Sequence, residues 1–188
     1  KNLAELLPNC RIKYDGGSPV DLLQIIDVER DSVQGEWERD GDALVSPASE
    51  YASLQIPYVP PEEYSIQAVV NRQSGSHPVA LGVVQQGQQT AVSIDRWPKS
   101  GYASALDYAD GTYNKGDAPN AWSNLLTEGQ DVPMRVTVRK GRITATCADR
   151  LILDWSGEPG QLGLYEGRHV PKKDVLFLGT HLSRFSFS

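Results

Sequence analysis

The chain has 188 residues, a net charge of −6 and 39% hydrophobic residues, with a mean hydropathy of −0.40. This length suits a single domain, which can bury roughly 70% of its unfolded surface. No apolar run approaches the roughly 18 residues that a membrane span needs. The basic residues are scattered rather than gathered into a stripe, which argues against a nucleic-acid-binding protein.

The N-terminal residues 1–17 differ in pattern from the rest. The leucines of Leu3–Leu7 have helical spacing, Pro8-Asn9 would end the helix, and Cys10–Tyr14 is predicted to be extended. The string Leu3–Ile12 resembles the closing helix-turn-strand of a leucine-rich repeat, which implies the remnant of a stacked array. The alternative is an amphipathic arm that packs on the main domain. We therefore expect a domain boundary at residue 17, followed by one domain over 18–188.

A short helix is predicted over Ser18–Ile26. Ser18 can cap it, Pro19 suits the first helical position, and Asp21 favours the positive end of the helix dipole. Two leucines and two isoleucines follow Asp21 and would supply the buried side of this helix.

From Gly35 onward the pattern is almost wholly β. Tyr64–Arg72 alternates apolar and polar residues, so one face would enter a core while the other meets water. Turn signals such as Asp40-Gly41 and Gln86-Gly87 separate such runs. Many short strands at this spacing predict an all-β fold, a two-sheet antiparallel jelly-roll sandwich. The predicted strands are Gly35–Arg39, Ala43–Ser46, Ser53–Ile56, Tyr64–Arg72, Val79–Gln85, Gln88–Asp95, Tyr102–Leu106, Val132–Arg139, Gly141–Cys147, Leu151–Trp155, Gln161–Tyr165, Val175–Gly179 and Arg184–Phe187.

Four segments of this β region resemble a known family. Gly35–Trp37, Asp42–Ser46, the strand that opens with Tyr64–Ile66, and Asp149–Trp155 together resemble the concanavalin A-like sandwich. They are most similar to the LamG-like and 3-keto-disaccharide hydrolase-like domains of bacterial multidomain proteins. The resemblance covers about residues 34–187. It implies a jelly roll of two curved sheets and a carbohydrate-related role.

Two positions depart from that family pattern. The chain reads Asp40-Gly41-Asp42, which reverses the order of the family's first hairpin, and Ala148–Arg150 lacks the glycine of its late hairpin. The glucanases of this fold place their carboxylates on one strand as Glu-x-Asp-x-x-Glu, and no such run occurs here. Hydrolysis of a glycosidic bond needs two carboxyl groups that flank it, so this absence argues against a glycosidase.

Other catalytic and cofactor motifs are also missing. The three histidines, His77, His169 and His181, are isolated and lack metal-ligand spacing. No Gly-x-Ser-x-Gly elbow and no phosphate-binding glycine motif occurs. We therefore predict no catalytic residue, no metal site and no cofactor.

Two hypotheses about single segments stay open. Asp107, Asp110 and Asp117 lie in a predicted polar loop that could hold calcium, with an ordinary solvated loop as the alternative. Cys147 is predicted to pack inward as a small hydrophobe, and a disulfide from Cys10 to Cys147 is the other hypothesis.

The segment from Asp95 to Trp122 is the best candidate site. It combines aromatic rings, on which the C–H faces of sugars stack, with polar groups that can bind hydroxyls. Two residues outside it, at the ends of predicted strands, could lie at the same rim. Aromatic pinning of a long loop to the sandwich is the alternative interpretation. The predicted ligand-binding residues are Asp95, Arg96, Trp97, Tyr102, Tyr108 and Trp122, with His181 and Arg72 at the rim and further contributions from Tyr113, Asn114 and Asn120.

These observations favour a non-catalytic ligand-binding module, with carbohydrate as the expected partner. A sugar-acting hydrolase of the 3-keto-disaccharide hydrolase-like type and a protein-interaction or spacer domain are the alternatives. We expect the chain to belong to a larger protein, whose other domains would be further partners. No signal peptide is recognised at the N-terminus, so cell-surface, periplasmic and cytoplasmic locations are equally compatible with the sequence.

Overall fold

The chain forms two antiparallel β-sheets that pack face to face. The computed structural model describes residues 11–13, 18–109, 111–114, 118–119 and 121–188. The strands are β1 Arg11–Lys13, β2 Val20–Asp21, β3 Ser32–Gln34, β4 Glu38–Asp40, β5 Ala43–Val45, β6 Ala52–Ile56, β7 Tyr64–Ser74, β8 Val79–Gln85, β9 Gln88–Arg96, β10 Ala103–Ala109, β11 Thr112–Asn114, β12 Asp131–Arg139, β13 Arg142–Cys147, β14 Arg150–Ser156, β15 Leu162–Gly163, β16 Leu176–Thr180 and β17 Arg184–Phe187.

The strand order gives each sheet a main path of seven strands. The first sheet runs β14-β13-β12-β7-β17-β5-β4, with β1 paired to β7 and to β2. The second sheet runs β11-β10-β9-β8-β16-β6-β3, with β15 paired to β10. The predicted all-β, two-sheet antiparallel sandwich is confirmed. No helix in the described ranges is long and apolar enough to cross a membrane.

The first sheet buries only its inner face, as alternation predicts. Along β7 buried residues alternate with partly exposed ones from Tyr64 to Arg72. Val136 of β12 lies opposite Ile66 of β7, and both side chains are fully buried. The hydroxyl of Tyr64 reaches across the core, where it donates to the carbonyl oxygen of Val84 and accepts from the Val84 N–H, each at 2.8 Å. This tyrosine therefore ties the first sheet to the second.

The second sheet is buried on both faces. Every residue of β8 and of β16 is buried, because residues 164–175, here called the cover segment, lie across the outer face. Phe177 and Ala80 of this face pack in one cluster with Val170 of the cover segment. A Cβ at Gly82 would lie 1.9 Å from the ring of Phe177, so only glycine leaves room for that ring.

Polar outer-face side chains bind the backbone of the cover segment. Ser53 donates to the carbonyl oxygen of His169 at 3.1 Å. Gln55 donates to the carbonyl oxygen of Lys172 at 2.9 Å, and Gln89 donates to that of Val175 at 2.7 Å. These bonds satisfy backbone carbonyls that would otherwise be buried without partners. They fix the cover segment on the sheet.

The helix predicted over Ser18–Ile26 is wrong. Val20–Asp21 form β2, which pairs with β1, and only Leu23–Ile25 make a single 3-10 turn. A one-turn helix follows at Val28–Asp31 (α1), whose N-terminus is capped by the Asp27 carboxylate. Pairing of β2 with β1 is more favourable than the helix that the local cap and proline signals predict. The pairing satisfies backbone hydrogen-bonding groups of β2, and the apolar residues that follow still reach the core. Leu22, Leu23 and Ile26 are buried as predicted.

The N-terminal predictions are tested only in part. The extended conformation expected around Arg11–Lys13 is present as β1, which pairs antiparallel with β7. Residues 1–10 and 14–17 lie outside the described residues, so the leucine-rich-repeat resemblance and the domain boundary at residue 17 stay predictions. Cys10 also lies outside, whereas Cys147 is a buried free thiol. Burial raises the pKa of Cys147 to about 12, as expected for a packed hydrophobe.

Most strand positions are close to prediction, and the errors concern short or edge strands. The strand expected at Tyr102–Leu106 continues to Ala109, and the one expected at Gln161–Tyr165 shrinks to Leu162–Gly163. The short strand Ser32–Gln34 was not predicted. Such two- and three-residue strands carry too few side chains for alternation to be recognised. Trp37, Leu54, Ile56 and Leu153 are all buried in the core.

Candidate functional site

A pocket of about 400 Å³ opens at one edge of the second sheet. At this edge β6 and β8 begin while β9 and β16 end, as the alternation of antiparallel neighbours requires. The residues just beyond these strand ends therefore converge there, and the cover segment closes the opposite side. The lining residues are Tyr51, His77, Pro78, Arg96, Trp97, Pro98, Lys99, Ser100, Tyr165, Arg168 and His181.

A buried ion-pair cluster lies beneath the pocket. Asp107 of β10 has no exposed surface, and its carboxylate pairs with two arginines. Arg96 at the end of β9 reaches Oδ1 of Asp107 at 2.7 Å, and Arg168 of the cover segment pairs with Oδ2 through Nε. The Ser93 hydroxyl donates to Oδ1 at 2.8 Å and accepts from Arg168 Nη2 at 2.9 Å. Both guanidinium groups are thus held in fixed orientations at the pocket wall.

The arginines keep the Asp107 carboxylate ionised. Burial by itself would raise the pKa of Asp107, but the charges and hydrogen bonds of Arg168 and Arg96 outweigh it, and the pKa is lowered. A carboxylate that is sequestered by two cations and has a lowered pKa cannot supply a proton near neutral pH. The role of Asp107 is therefore to position Arg96 and Arg168.

A row of aromatic rings forms one wall of the pocket. The rings of Tyr51 and His181 lie 4.6 Å apart between centroids at 35°, and Tyr51 lies 5.8 Å from Tyr165. The hydroxyls of these two tyrosines are 3.3 Å apart. His77 meets His181 edge to face at 5.3 Å, and Tyr108 continues the row, 6.3 Å from Tyr165. The wall presents ring faces with hydroxyl and imidazole groups at their edges.

Trp97 forms the opposite rim. Its backbone is left-handed, with φ of 52°, which turns the chain sharply at the end of β9 and starts the 3-10 turn Pro98–Ser100. The Arg96 guanidinium carbon lies 5.3 Å from the centroid of the Trp97 ring, a cation–π distance. Trp122 packs beside it at 6.3 Å between centroids and is 55% exposed. The rim therefore offers a broad indole surface next to the pocket.

The imidazole of His181 is the most unusual titratable group of the pocket. Its Nδ1 is buried and finds no hydrogen-bond partner in the part of the chain that the structure describes. Burial lowers the pKa of His181, and His77 adds to this effect, while Glu50 opposes it. The ring is therefore neutral at pH 7 and can accept or donate one hydrogen bond to a bound molecule.

The structure brings together several of the residues singled out from the sequence. Arg96, Trp97 and His181 line the pocket. Trp122 and Tyr108 contact lining residues, as described above. Tyr102 sits at the base of the Trp97 turn, where its N–H donates to the carbonyl oxygen of Trp97 at 3.3 Å. The side chains of Tyr113 and Asn114, and all of Asn120, lie outside the described residues.

Asp95 and Arg72 need correction, because neither reaches the pocket. Asp95 has no exposed surface; it accepts from the backbone N–H groups of Leu125 and Leu126, both at 2.9 Å. Arg72 of β7 pairs with Asp95 at 3.0 Å, and its guanidinium carbon lies 5.5 Å from the centroid of the Phe185 ring. This pair links the two sheets and anchors the loop before β12. Burial raises the pKa of Asp95, and the two N–H donors and Arg72 offset this only in part.

Eight lining residues were not predicted from the sequence as site residues, and those with aromatic or charged side chains are Tyr51, His77, Lys99, Tyr165 and Arg168. Tyr51 directly precedes β6 and His77 lies two residues before β8, so a search of strand starts as well as strand ends would have found them. Arg168 carries no such signal. Its partner Asp107 does, because a charged residue inside a strand of small apolar residues must find a counter-ion.

One of the three aspartates that could have bound calcium, Asp107, is already engaged by other side chains. Asp107 lies in β10 rather than in a loop, and both of its carboxylate oxygens bind guanidinium groups. Asp110 and Asp117 lie outside the described residues. Among the residues that are described, no group of three or more His, Cys, Asp or Glu side chains could hold a metal ion.

Solved structures with a similar fold include a carbohydrate binding module. The carbohydrate binding module CBM66 from Bacillus subtilis superposes with a TM-score of 0.57 at 9% identity, over 84% of this chain and 90% of that one. A protein of unknown function with a galectin-like fold, also from Bacillus subtilis, gives a TM-score of 0.56 at 11% identity, over 85% and 87%. No family model matches the chain, and no curated protein is significantly similar to it. At these identities the likeness shows a shared jelly-roll sandwich fold.

Proposed function

We propose that the protein is a non-catalytic carbohydrate-binding module and that its binding site is the pocket at the edge of the second sheet. The observation that carries the proposal is the convergence of aromatic faces and fixed guanidinium donors on one cavity. Tyr51, Tyr165 and Trp97 supply ring surface, while Arg96 and Arg168 supply donors. The volume of about 400 Å³ falls in the range of ligand pockets, roughly 300–1,000 Å³.

The chemistry of a sugar fits these two elements. A pyranose ring has apolar C–H faces, which pack on aromatic rings, and equatorial hydroxyls, which need hydrogen-bond partners at the edges. Because the Asp107 carboxylate fixes both guanidinium groups, their donors are oriented before a ligand arrives. Such preorganisation lowers the entropic cost of binding.

The proposal excludes a glycosidase mechanism at this pocket. Hydrolysis needs two carboxyl groups, about 5–5.5 Å or 6.5–9.5 Å apart, on either side of the scissile bond. Within the described part of the chain, the residues that line the pocket include no aspartate or glutamate, and Asp107 beneath it has both oxygens engaged by arginines. The hydrolase suggested by the 3-keto-disaccharide hydrolase-like resemblance is therefore the less favoured function.

The fold likeness supports the same function without deciding it. CBM66, as its name states, is a carbohydrate binding module, and a jelly-roll sandwich is a scaffold on which such sites are built. Fold alone does not determine function, so the argument rests on the pocket. The finer assignment to LamG-like domains stays a hypothesis, as does the expectation that other domains of a longer protein accompany this one.

Trp97→Ala tests the proposal. We expect a glycan array to identify a sugar ligand and the variant to bind that ligand about tenfold more weakly, since loss of a stacked indole costs roughly 1 kcal/mol or more. Val59→Ala is the matched control. Val59 is 61% exposed and follows the C-terminal end of β6, whereas Tyr51 of the pocket precedes the N-terminal end of this strand. Circular dichroism would establish that both variants are folded.

Three results would refute the proposal. Sugar binding that is equal in wild type, Trp97→Ala and Val59→Ala would place the site elsewhere. Absence of binding across neutral and acidic glycans would favour the protein-interaction or spacer role. Turnover of a 3-keto or ordinary glycoside by the wild-type protein would restore the hydrolase hypothesis.

A further inference from the structure

The charges around the pocket oppose the charge of the whole chain. The protein carries a net charge of −6, yet among the described residues that line the pocket the titratable side chains are two arginines, one lysine, two histidines and two tyrosines, without a carboxylate. A cavity lined by one sign of charge concentrates ligands of the opposite sign. The pocket is therefore a local cationic site on an acidic protein.

Arg168 shares its ion-pair partner with a second arginine. Its side chain is 9% exposed, and among the described residues its only ion partner is Asp107, which also pairs with Arg96. A buried cation is stabilised by nearby negative charge in a low-dielectric environment. An anionic group in the pocket would therefore add a second counter-charge beside Arg168.

The cationic donors favour an anionic acceptor over neutral polar groups. Arg168 already binds the two oxygens of Asp107 through Nε and Nη2, so a ligand carboxylate would meet its remaining donor, Nη1, in a charge-assisted hydrogen bond. Lys99, on the 3-10 turn at the rim, adds a mobile ammonium group. Neutral sugars use donors and acceptors alike, whereas guanidinium and ammonium groups can only donate. The lining is thus better matched to a ligand that accepts strongly.

We propose that the pocket selects sugars that bear a carboxylate, such as uronic acids. This inference rests on the proposed carbohydrate-binding function and specifies its ligand class. The aromatic wall contacts the sugar ring, and the carboxylate lies on the side of Arg168, Arg96 and Lys99. A sulfate ester would supply the same charge with a tetrahedral rather than a planar group, so the two anions must be compared directly.

The test compares pairs of ligands that differ at one carbon substituent, which is a carboxylate in one member and a neutral group in the other. Isothermal titration calorimetry with methyl glucoside and methyl glucuronide, and with methyl-esterified and free polygalacturonate, should show roughly ten- to a hundredfold tighter binding of the acidic member, the range for charged hydrogen bonds. This preference should decrease as the salt concentration rises from roughly 0.02 M, where charges are weakly screened, to roughly 0.5 M, where they are strongly screened. A glucose 6-sulfate glycoside distinguishes sulfate from carboxylate.

A charge variant at the rim localises the effect. Lys99 is exposed, so Lys99→Gln should fold normally and weaken binding of the glucuronide by about two- to fivefold, which is more than it weakens binding of the neutral glucoside. Lys140→Gln is the matched control; it removes the same charge from the β12–β13 turn on the first sheet. A loss that is equal in both variants would indicate the overall charge of the protein rather than the pocket.

The outcomes separate this inference from the function on which it rests. Binding of neutral and acidic sugars with equal affinity at low salt would overturn the selectivity and leave carbohydrate binding intact. Preference for the sulfated glycoside over the glucuronide would overturn the assignment of a carboxylate. Failure of every sugar to bind would overturn the proposed function, and the inference with it.

Discussion

The ion-pair cluster beneath the pocket gives the sharpest prediction about stability. Asp107→Asn keeps the size of the side chain but removes the negative charge that Arg96 and Arg168 share. The amide oxygen can accept from one guanidinium, but the amide NH2 then faces the donors of the other. Because Asp107 is fully buried and the arginines are 10% and 9% exposed, solvent cannot replace the lost partner.

The expected cost follows from this burial. Removing one partner of a buried ion pair typically costs about 3–5 kcal/mol, because an uncompensated charge is left behind. For a domain of this size, each kcal/mol lowers the melting temperature by roughly 2–4 °C, so a fall of roughly 6–20 °C is expected. Thermal and urea unfolding followed by circular dichroism would measure both quantities.

The exposed pair Arg142–Asp154 provides the control. Its two hydrogen bonds, at 2.8 and 2.7 Å, resemble those at Asp107 in length, but solvent surrounds them and can replace either partner. Asp154→Asn should therefore destabilise the protein far less than Asp107→Asn. Equal losses in the two variants would refute the reasoning from burial.

The pH dependence tests the same cluster independently. The pKa of Asp107 is lowered in the folded protein, so its contribution is fully present above the ordinary aspartate pKa of about 3.9 and is lost as pH falls through the lower folded pKa. The stability difference between wild type and Asp107→Asn should accordingly be constant from pH 5 to 7, roughly, and shrink toward pH 3. A difference that grows on acidification would contradict the assigned charge state.

Two further predictions concern the outer face of the second sheet and the aromatic wall. Gly82→Ala should cost about 1–3 kcal/mol by overpacking, since the new methyl group meets the buried ring of Phe177, whereas Gly160→Ala, with open space around it, should be neutral in the same urea titration. The pKa of His181 is lowered on folding, so the unfolded chain binds the proton more readily and wild type should lose stability as pH falls below about 6.5. His181→Asn should flatten this pH profile, and an unchanged profile would show that another group controls it.

The fold could be predicted from the sequence where alternation is long. Tyr64–Ser74 and Asp131–Arg139 each place apolar side chains on one face over many residues, and their pairing then follows from burial of that face. Ser18–Ile26 was misread because its cap and proline signals are local, whereas its strand pairing with β1 is not. A prediction from local pattern fails wherever a distant segment supplies the deciding contact.

The site was predictable in part for the same reason. Trp97 and His181 were found because they end strands, and strand ends share an edge of the sheet. Asp95 occupies an equivalent position in the sequence, but the N–H groups of Leu125 and Leu126, about thirty residues away, bind its carboxylate. Sequence alone cannot distinguish a polar residue at a strand end that faces a ligand from one that anchors a loop.

The cover segment has two structural roles: it buries the outer face of the second sheet, and it forms one side of the pocket. β8 reads Val-Ala-Leu-Gly-Val-Val-Gln, a nearly continuous apolar run of the kind found where both faces of a strand are covered. Gly82 of β8 and Gly179 of β16 make room on the outer face of the second sheet. The absence of a side chain at Gly82 admits the Phe177 ring, and a Cβ at Gly179 would lie 2.5 Å from Arg168 Nη1. Arg168 then reaches Asp107 on β10. The pair that fastens the cover segment to the sheet is thus also the pair that orients the guanidinium at the pocket, so stability and the proposed ligand recognition depend on the same buried charge.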